Sequence, residues 1–74
     1  MGESGLQKRS YSLKGHKTSI ALEPAFWEVL EEAAKAQHLS LPQLINKIDE
    51  NRTGSLASAL RLYVLDYALK KGEL

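Results

Sequence analysis

Four of the chain's ten basic residues, Lys8, Arg9, Lys14 and Lys17, fall within its first 22 positions, against a single acid, Glu3. A cluster of this kind offers positive charge and hydrogen-bond donors to an anionic partner. Residues 23–54 reverse the balance with six acids against three bases, and residues 55–74 carry three bases against two acids. The net charge of +1 therefore conceals a basic end ahead of an acidic middle. His16, next to Gly15, can meet phosphate when protonated or serve as a structural turn residue. His38 lies 22 positions further on and there is no cysteine, so no metal cluster and no disulfide is expected. No Ser/His/Asp arrangement, Gly-rich phosphate loop, His-Glu-x-x-His pattern or cysteine nucleophile occurs, and the expectation is that the chain is not an enzyme and needs no cofactor. Ser40 can accept a hydrogen bond at a helix start, because Gln43 stands at capping-box spacing from it.

Positioning these residues requires a small set of elements. In KTSIAL, residues 17–22, Lys17, Ser19 and Ala21 alternate with Thr18, Ile20 and Leu22, the pattern of a short half-buried strand. SYSLK, residues 10–14, alternates as well, but its apolar residues Tyr11 and Leu13 are odd-numbered whereas Ile20 and Leu22 are even-numbered. The phase slips at Gly15 and His16, which indicates a bulge, a bend or a tight turn. Residues 10–14 then either form a hairpin strand or extend a ribbon.

Pro24 suits the first turn of a helix. Phe26, Val29, Leu30, Ala33 and Ala34 give that helix an apolar side with Trp27 beside it, while Glu28, Glu31, Glu32 and Lys35 face water. A second helix begins after Ser40, with Pro42 in its first turn and Leu41, Leu44, Ile45 and Ile48 in one stripe. It should stop in NRTG, residues 51–54, where Gly54 can take positive φ. Ser55 can cap a third helix running from Leu56 to about Lys70. Leu56, Leu60, Tyr63, Val64 and Tyr67 cover one side of it and Leu62, Leu65 and Leu69 continue around, so burial on more than one side is implied.

At 74 residues the chain is one domain with a thin core. With disulfides and metals set aside, oligomerisation is the remaining support, most economically with another copy of the same chain. We expect a flexible tail at residues 1–8, a folded domain at 9–71 and a C-terminal tail at 72–74. The N-terminus lacks the apolar run of a signal peptide and no stretch approaches a membrane span, so a soluble, cytoplasmic protein without membrane contact is expected.

The order strand, helix, capped turn, helix resembles the ribbon-helix-helix superfamily of bacterial DNA-binding proteins. KRSYSLKGHKTSIALEPAFWEVLEEAA, LSLPQLINKIDE and GSLASALRLYVL look like its compact family found in alphaproteobacteria, over about residues 8–66. GHKTSIALEPAFW is the most specific stretch. The resemblance implies a mainly α protein with one short β-ribbon, β-α-α plus an additional C-terminal helix, as an intertwined homodimer whose strands pair antiparallel. Its partner would be double-stranded DNA, with higher oligomers allowed on it, its role transcription regulation, and its bound state nucleoid-associated.

Lys17, Ser19 and Ala21 match the superfamily's base-facing positions. Lysine can donate to guanine O6 or N7, serine can donate or accept, and alanine can pack on a thymine methyl. Many relatives carry a polar residue where Ala21 stands. Lys8, Arg9, Lys14 and His16 are expected to meet phosphate, as is Ser40 at the helix start, although Pro42 removes one amide donor there. The expected dimer core is Ile20, Leu22, Trp27, Leu30, Ile45, Ile48, Leu60 and Val64. The alternative is an antitoxin-like or adaptor dimer that binds protein, which the acidic middle and the apolar third helix would suit.

Overall fold

The computed structural model describes residues 5–71, ordered as β1 (Gln7–Leu13), β2 (His16–Leu22), α1 (Pro24–Ala36), α2 (Leu41–Glu50) and α3 (Leu56–Lys71). Of the expected N-terminal tail, residues 1–4 lie outside the described residues while Gln7 and Lys8 belong to β1; the expected tail at 72–74 also lies outside them.

β1 and β2 form an antiparallel hairpin with pairs running from Leu13 opposite His16 to Gln7 opposite Leu22. Lys14 (φ 52°) and Gly15 (φ 83°) make the turn between them. Two consecutive left-handed residues are what a type I′ turn requires, and that turn matches the right-handed twist of paired strands. A two-residue turn makes odd positions of β1 face even positions of β2, which accounts for the apolar phase slip. Within the chain the strand partner of β2 is thus β1, so residues 10–13 belong to a hairpin strand, and the second edge of β2 has no strand partner among the described residues.

α1 starts on Pro24, with the amides of Phe26 and Trp27 donating to the Glu23 carbonyl. It ends in a Schellman motif: His38 donates to Lys35 O, Leu39 donates to Ala34 O at 2.9 Å, and His38 adopts φ 59° at the position glycine usually takes. α2 opens with a full capping box and ends at Asn51 with φ −111°. Gly54 therefore does not terminate it by a left-handed turn, contrary to expectation; the Asn51 amide donating to Ile48 O closes the helix earlier. Ser55 Oγ accepts the Ser58 amide at 3.1 Å and caps α3.

The core joins Leu13, Ile20 and Leu22 of the hairpin to Trp27, Leu30, Ala33 and Ala34 of α1, Leu44 and Ile45 of α2, and Leu60 and Val64 of α3. Trp27 is fully buried and central, not beside the apolar side as its spacing suggested. Of the residues expected to form a core shared between chains, Ile20, Leu22, Trp27, Leu30, Ile45, Leu60 and Val64 are buried within one chain, and Ile48 is half-buried against the same cluster. The large apolar side chains left exposed are Leu6, Leu62, Leu65 and Leu69. No helix among the described residues is long and apolar enough to cross a membrane.

Candidate nucleic-acid interface

The hairpin register sorts the side chains of β1 and β2 onto two faces. Inward stand Gln7, Arg9, Tyr11 and Leu13 with Leu22, Ile20, Thr18 and His16; outward stand Lys8, Ser10 and Ser12 with Ala21, Ser19 and Lys17. The outward face thus brings Lys17, Ser19 and Ala21 together in three cross-strand pairs: Lys8 with Ala21, Ser10 with Ser19, Ser12 with Lys17. All but the half-buried Ala21 are exposed. Among the described residues the face carries two lysines and three hydroxyls and no acid. Ser10 Oγ and Ser19 Oγ are 3.2 Å apart, each able to donate to the other, so the pair keeps donor and acceptor capacity for a base edge. Strands about 4.8 Å apart form a ribbon that fits a major groove roughly 12 Å wide.

Ser10 and Ser12 were not singled out from the sequence. Their signal was the phase slip itself, which becomes a register only once Lys14 and Gly15 are known to form a two-residue turn.

The residues expected to meet phosphate are placed differently from one another. Lys8 lies on the outward face. Lys14 and His16 are exposed at the hairpin tip, with Lys14 Nζ 4.0 Å from Asp49 Oδ2. Arg9 is on the inward face, where it donates to Glu31 Oε2 at 2.8 Å and lies 4.7 Å from the centre of the Trp27 ring. Hydrogen bonding to Glu31 first, and then to Tyr11, raises its pKa above the ordinary guanidinium value.

Ser40 stands apart from the ribbon at the start of α2. Its hydroxyl accepts the Gln43 amide at 3.2 Å while its own amide donates to Gln43 Oε1 at 2.8 Å. Pro42 supplies no donor, so the capping box has already used much of what this helix start could offer an anion.

The hairpin is seated firmly on α1. Trp27 Nε1 donates to the Gln7 carbonyl at 2.8 Å, and the Tyr11 and Trp27 rings meet at a centroid distance of 6.0 Å. A rigid ribbon with an exposed basic and hydroxyl-bearing face is a surface that can enter a groove without refolding. No group of three or more His, Cys, Asp or Glu able to hold a metal occurs among the described residues.

A two-stranded ribbon leading into helices is the architecture of the ribbon-helix-helix domain, and residues 6–68 match that family. The chain belongs to that family, whose domains are characteristically non-catalytic DNA-binding modules. It is also similar, at 33% identity and a TM-score of 0.80, to the solved structure of an uncharacterized protein from Bordetella pertussis Tohama I. That alignment covers 95% of this chain and 61% of the other, so the chain spans less than two thirds of that protein's length. No curated protein matches.

Proposed function

We propose that the protein is a homodimeric, sequence-specific DNA-binding protein of the compact ribbon-helix-helix type that lays the outward face of its ribbon in the major groove and regulates transcription. The observation that carries this reading is the ribbon's outward face: Lys17, Ser19 and Ala21 stand beside Lys8, Ser10 and Ser12 with no acidic neighbour on that face among the described residues. Lys17 and Ser19 are the principal base readers and Ala21 packs on a thymine methyl. Lys8, Lys14 and His16 meet phosphates at the edges of the groove, which positions the protein without naming bases. Arg9 joins them by exchanging Glu31 for phosphate, and Ser40 contributes through the start of α2. A two-fold dimer predicts a pseudo-palindromic site, and DNA binding in a bacterial cell places the protein in the cytoplasm at the nucleoid.

Electrophoretic retention of mixed genomic fragments over a salt series tests this reading. Affinity should fall steeply and linearly on logarithmic axes as salt rises, and selection from random duplexes should return one preferred sequence. Salt-insensitive capture of a protein, with no retention of DNA, would establish the adaptor or antitoxin-like alternative instead.

A further inference from the structure

Ser10 and Ser19 are the middle of the three cross-strand pairs on the outward face of the ribbon, with Lys8 and Ala21 on one side and Ser12 and Lys17 on the other. Both are exposed, and their Oγ atoms stand 3.2 Å apart. The backbone that carries them is held from the other face. Arg9 and Tyr11, the chain neighbours of Ser10, are tied to α1 through Glu31 and Trp27, and Ile20, the chain neighbour of Ser19, is buried in the core. Two hydroxyls so close share one hydrogen. Whichever of the two donates to the other, one keeps a free O–H to offer outward and the other offers lone pairs alone. The pair is thus a donor beside an acceptor, the pattern that a single asparagine or glutamine carboxamide presents.

We infer that Ser10 is a base-reading residue alongside Ser19, and that the two hydroxyls act as one unit on the major-groove edge of a single adenine. The inference rests on the DNA-binding reading and names the base that this part of the ribbon selects. Adenine alone among the four bases carries an acceptor, N7, beside a donor, the N6 amino group. Guanine offers two acceptors, N7 and O6, for which the pair has one free hydrogen. Cytosine offers only a donor, and thymine only an acceptor with its methyl, so each is met by one hydroxyl where adenine is met by both. A solitary serine has no such preference, because its hydroxyl rotates to suit either partner. Ser10 acquires the role from the register. It lies on β1, outside the strand that holds Lys17, Ser19 and Ala21, and the two-residue turn at Lys14 and Gly15 sets it opposite Ser19. Both serines belong to one chain, so each copy of a dimer carries its own pair whichever surfaces join the copies, and a two-fold site holds one such adenine in each half.

The test is selection from random duplexes with the wild-type protein, then affinity measurements on the selected duplex and on duplexes with a guanine pair in place of each adenine pair in turn. Ser10→Ala, Ser19→Ala and the double variant should each lose the preference for adenine over guanine at the same position, by roughly 5- to 150-fold. The double variant should lose no more than either single one, as expected of groups that act together. Ser10→Thr, which keeps the hydroxyl, should keep the preference. Replacing that adenine by 7-deazaadenine, which lacks the N7 acceptor, should weaken the wild type more than Ser10→Ala. A Ser19-dependent position that selects guanine or cytosine overturns the adenine assignment. A preference lost in Ser19→Ala and kept in Ser10→Ala, or kept in both, removes the pair and leaves the DNA-binding reading standing. A wild-type protein that retains no DNA overturns both. If an alanine variant failed to fold, the wild type would still decide the outcome, since an affinity unchanged by 7-deazaadenine at every adenine overturns the inference.

Discussion

The two faces of the ribbon share one backbone and one register, yet they are built by opposite rules. Inward, Leu13, Ile20 and Leu22 are buried, Tyr11 lies against Trp27, and Arg9 is held by Glu31. Outward, Lys8, Ser10, Ser12, Lys17 and Ser19 are exposed, and the one side-chain bond among them joins the two serines across the strands. Inward residues are chosen by packing, whereas outward ones are left to whatever the face meets. Arg9 apart, substitutions on the inward face should therefore change stability and leave recognition alone, and on the outward face the reverse.

The largest effect should come from Trp27→Ala, which empties the centre of the core and removes the indole bond to Gln7. Urea unfolding followed by circular dichroism should record a loss of about 3–5 kcal/mol. A loss below 1 kcal/mol would mean that the ribbon is not held by this contact. Next is Ser19→Ala, expected to cost ~1–3 kcal/mol of discrimination between a selected and a scrambled duplex, while unfolding stays within about 0.5 kcal/mol of wild type. Lys8→Ala should weaken both duplexes equally and lower the salt slope by roughly 1. Equal losses on both duplexes for Ser19→Ala would show that the outward face does not read bases.

How much of this was legible in the sequence depends on what each signal needed. Pro24, the Ser40 and Gln43 pair, and Ser55 mark helix starts by local chemistry, and all three helices begin where those residues place them. The hairpin turned on Lys14 taking a left-handed conformation, which lysine's chemistry does not advertise, so bulge, bend and turn stayed equivalent. Ser10 and Ser12 were lost with that choice. Trp27 looked peripheral because helical spacing alone cannot foresee that a ribbon will cover its side of α1.

Ser40 sharpens the comparison from outside the ribbon. If its hydroxyl serves the helix, Ser40→Ala should cost about 1 kcal/mol in unfolding and alter DNA affinity no more than that loss of fold requires. A drop in affinity at unchanged stability would instead assign Ser40 to phosphate.

The smallest effect is at Glu23, just after β2. Hydrogen bonding from its own backbone amide, and then from Arg61, holds its carboxylate below the ordinary value of 4.5. A depressed folded-state pKa stabilises above the unfolded value, and that contribution is lost as pH falls through the folded one. Acid unfolding of Glu23→Gln should therefore be slightly less steep below pH 4.5 than that of wild type. Superimposable acid limbs would show that the Arg61 pair carries no linkage.

The indole of Trp27 has a further consequence for anyone watching the molecule in solution. It is the chain's one tryptophan, dry, and bonded to the backbone of the first strand. Its emission colour therefore reports where that strand is. Lifting the hairpin off α1 would wet the ring and shift the light to the red even with every helix intact, so an undyed sample carries its own gauge of ribbon seating.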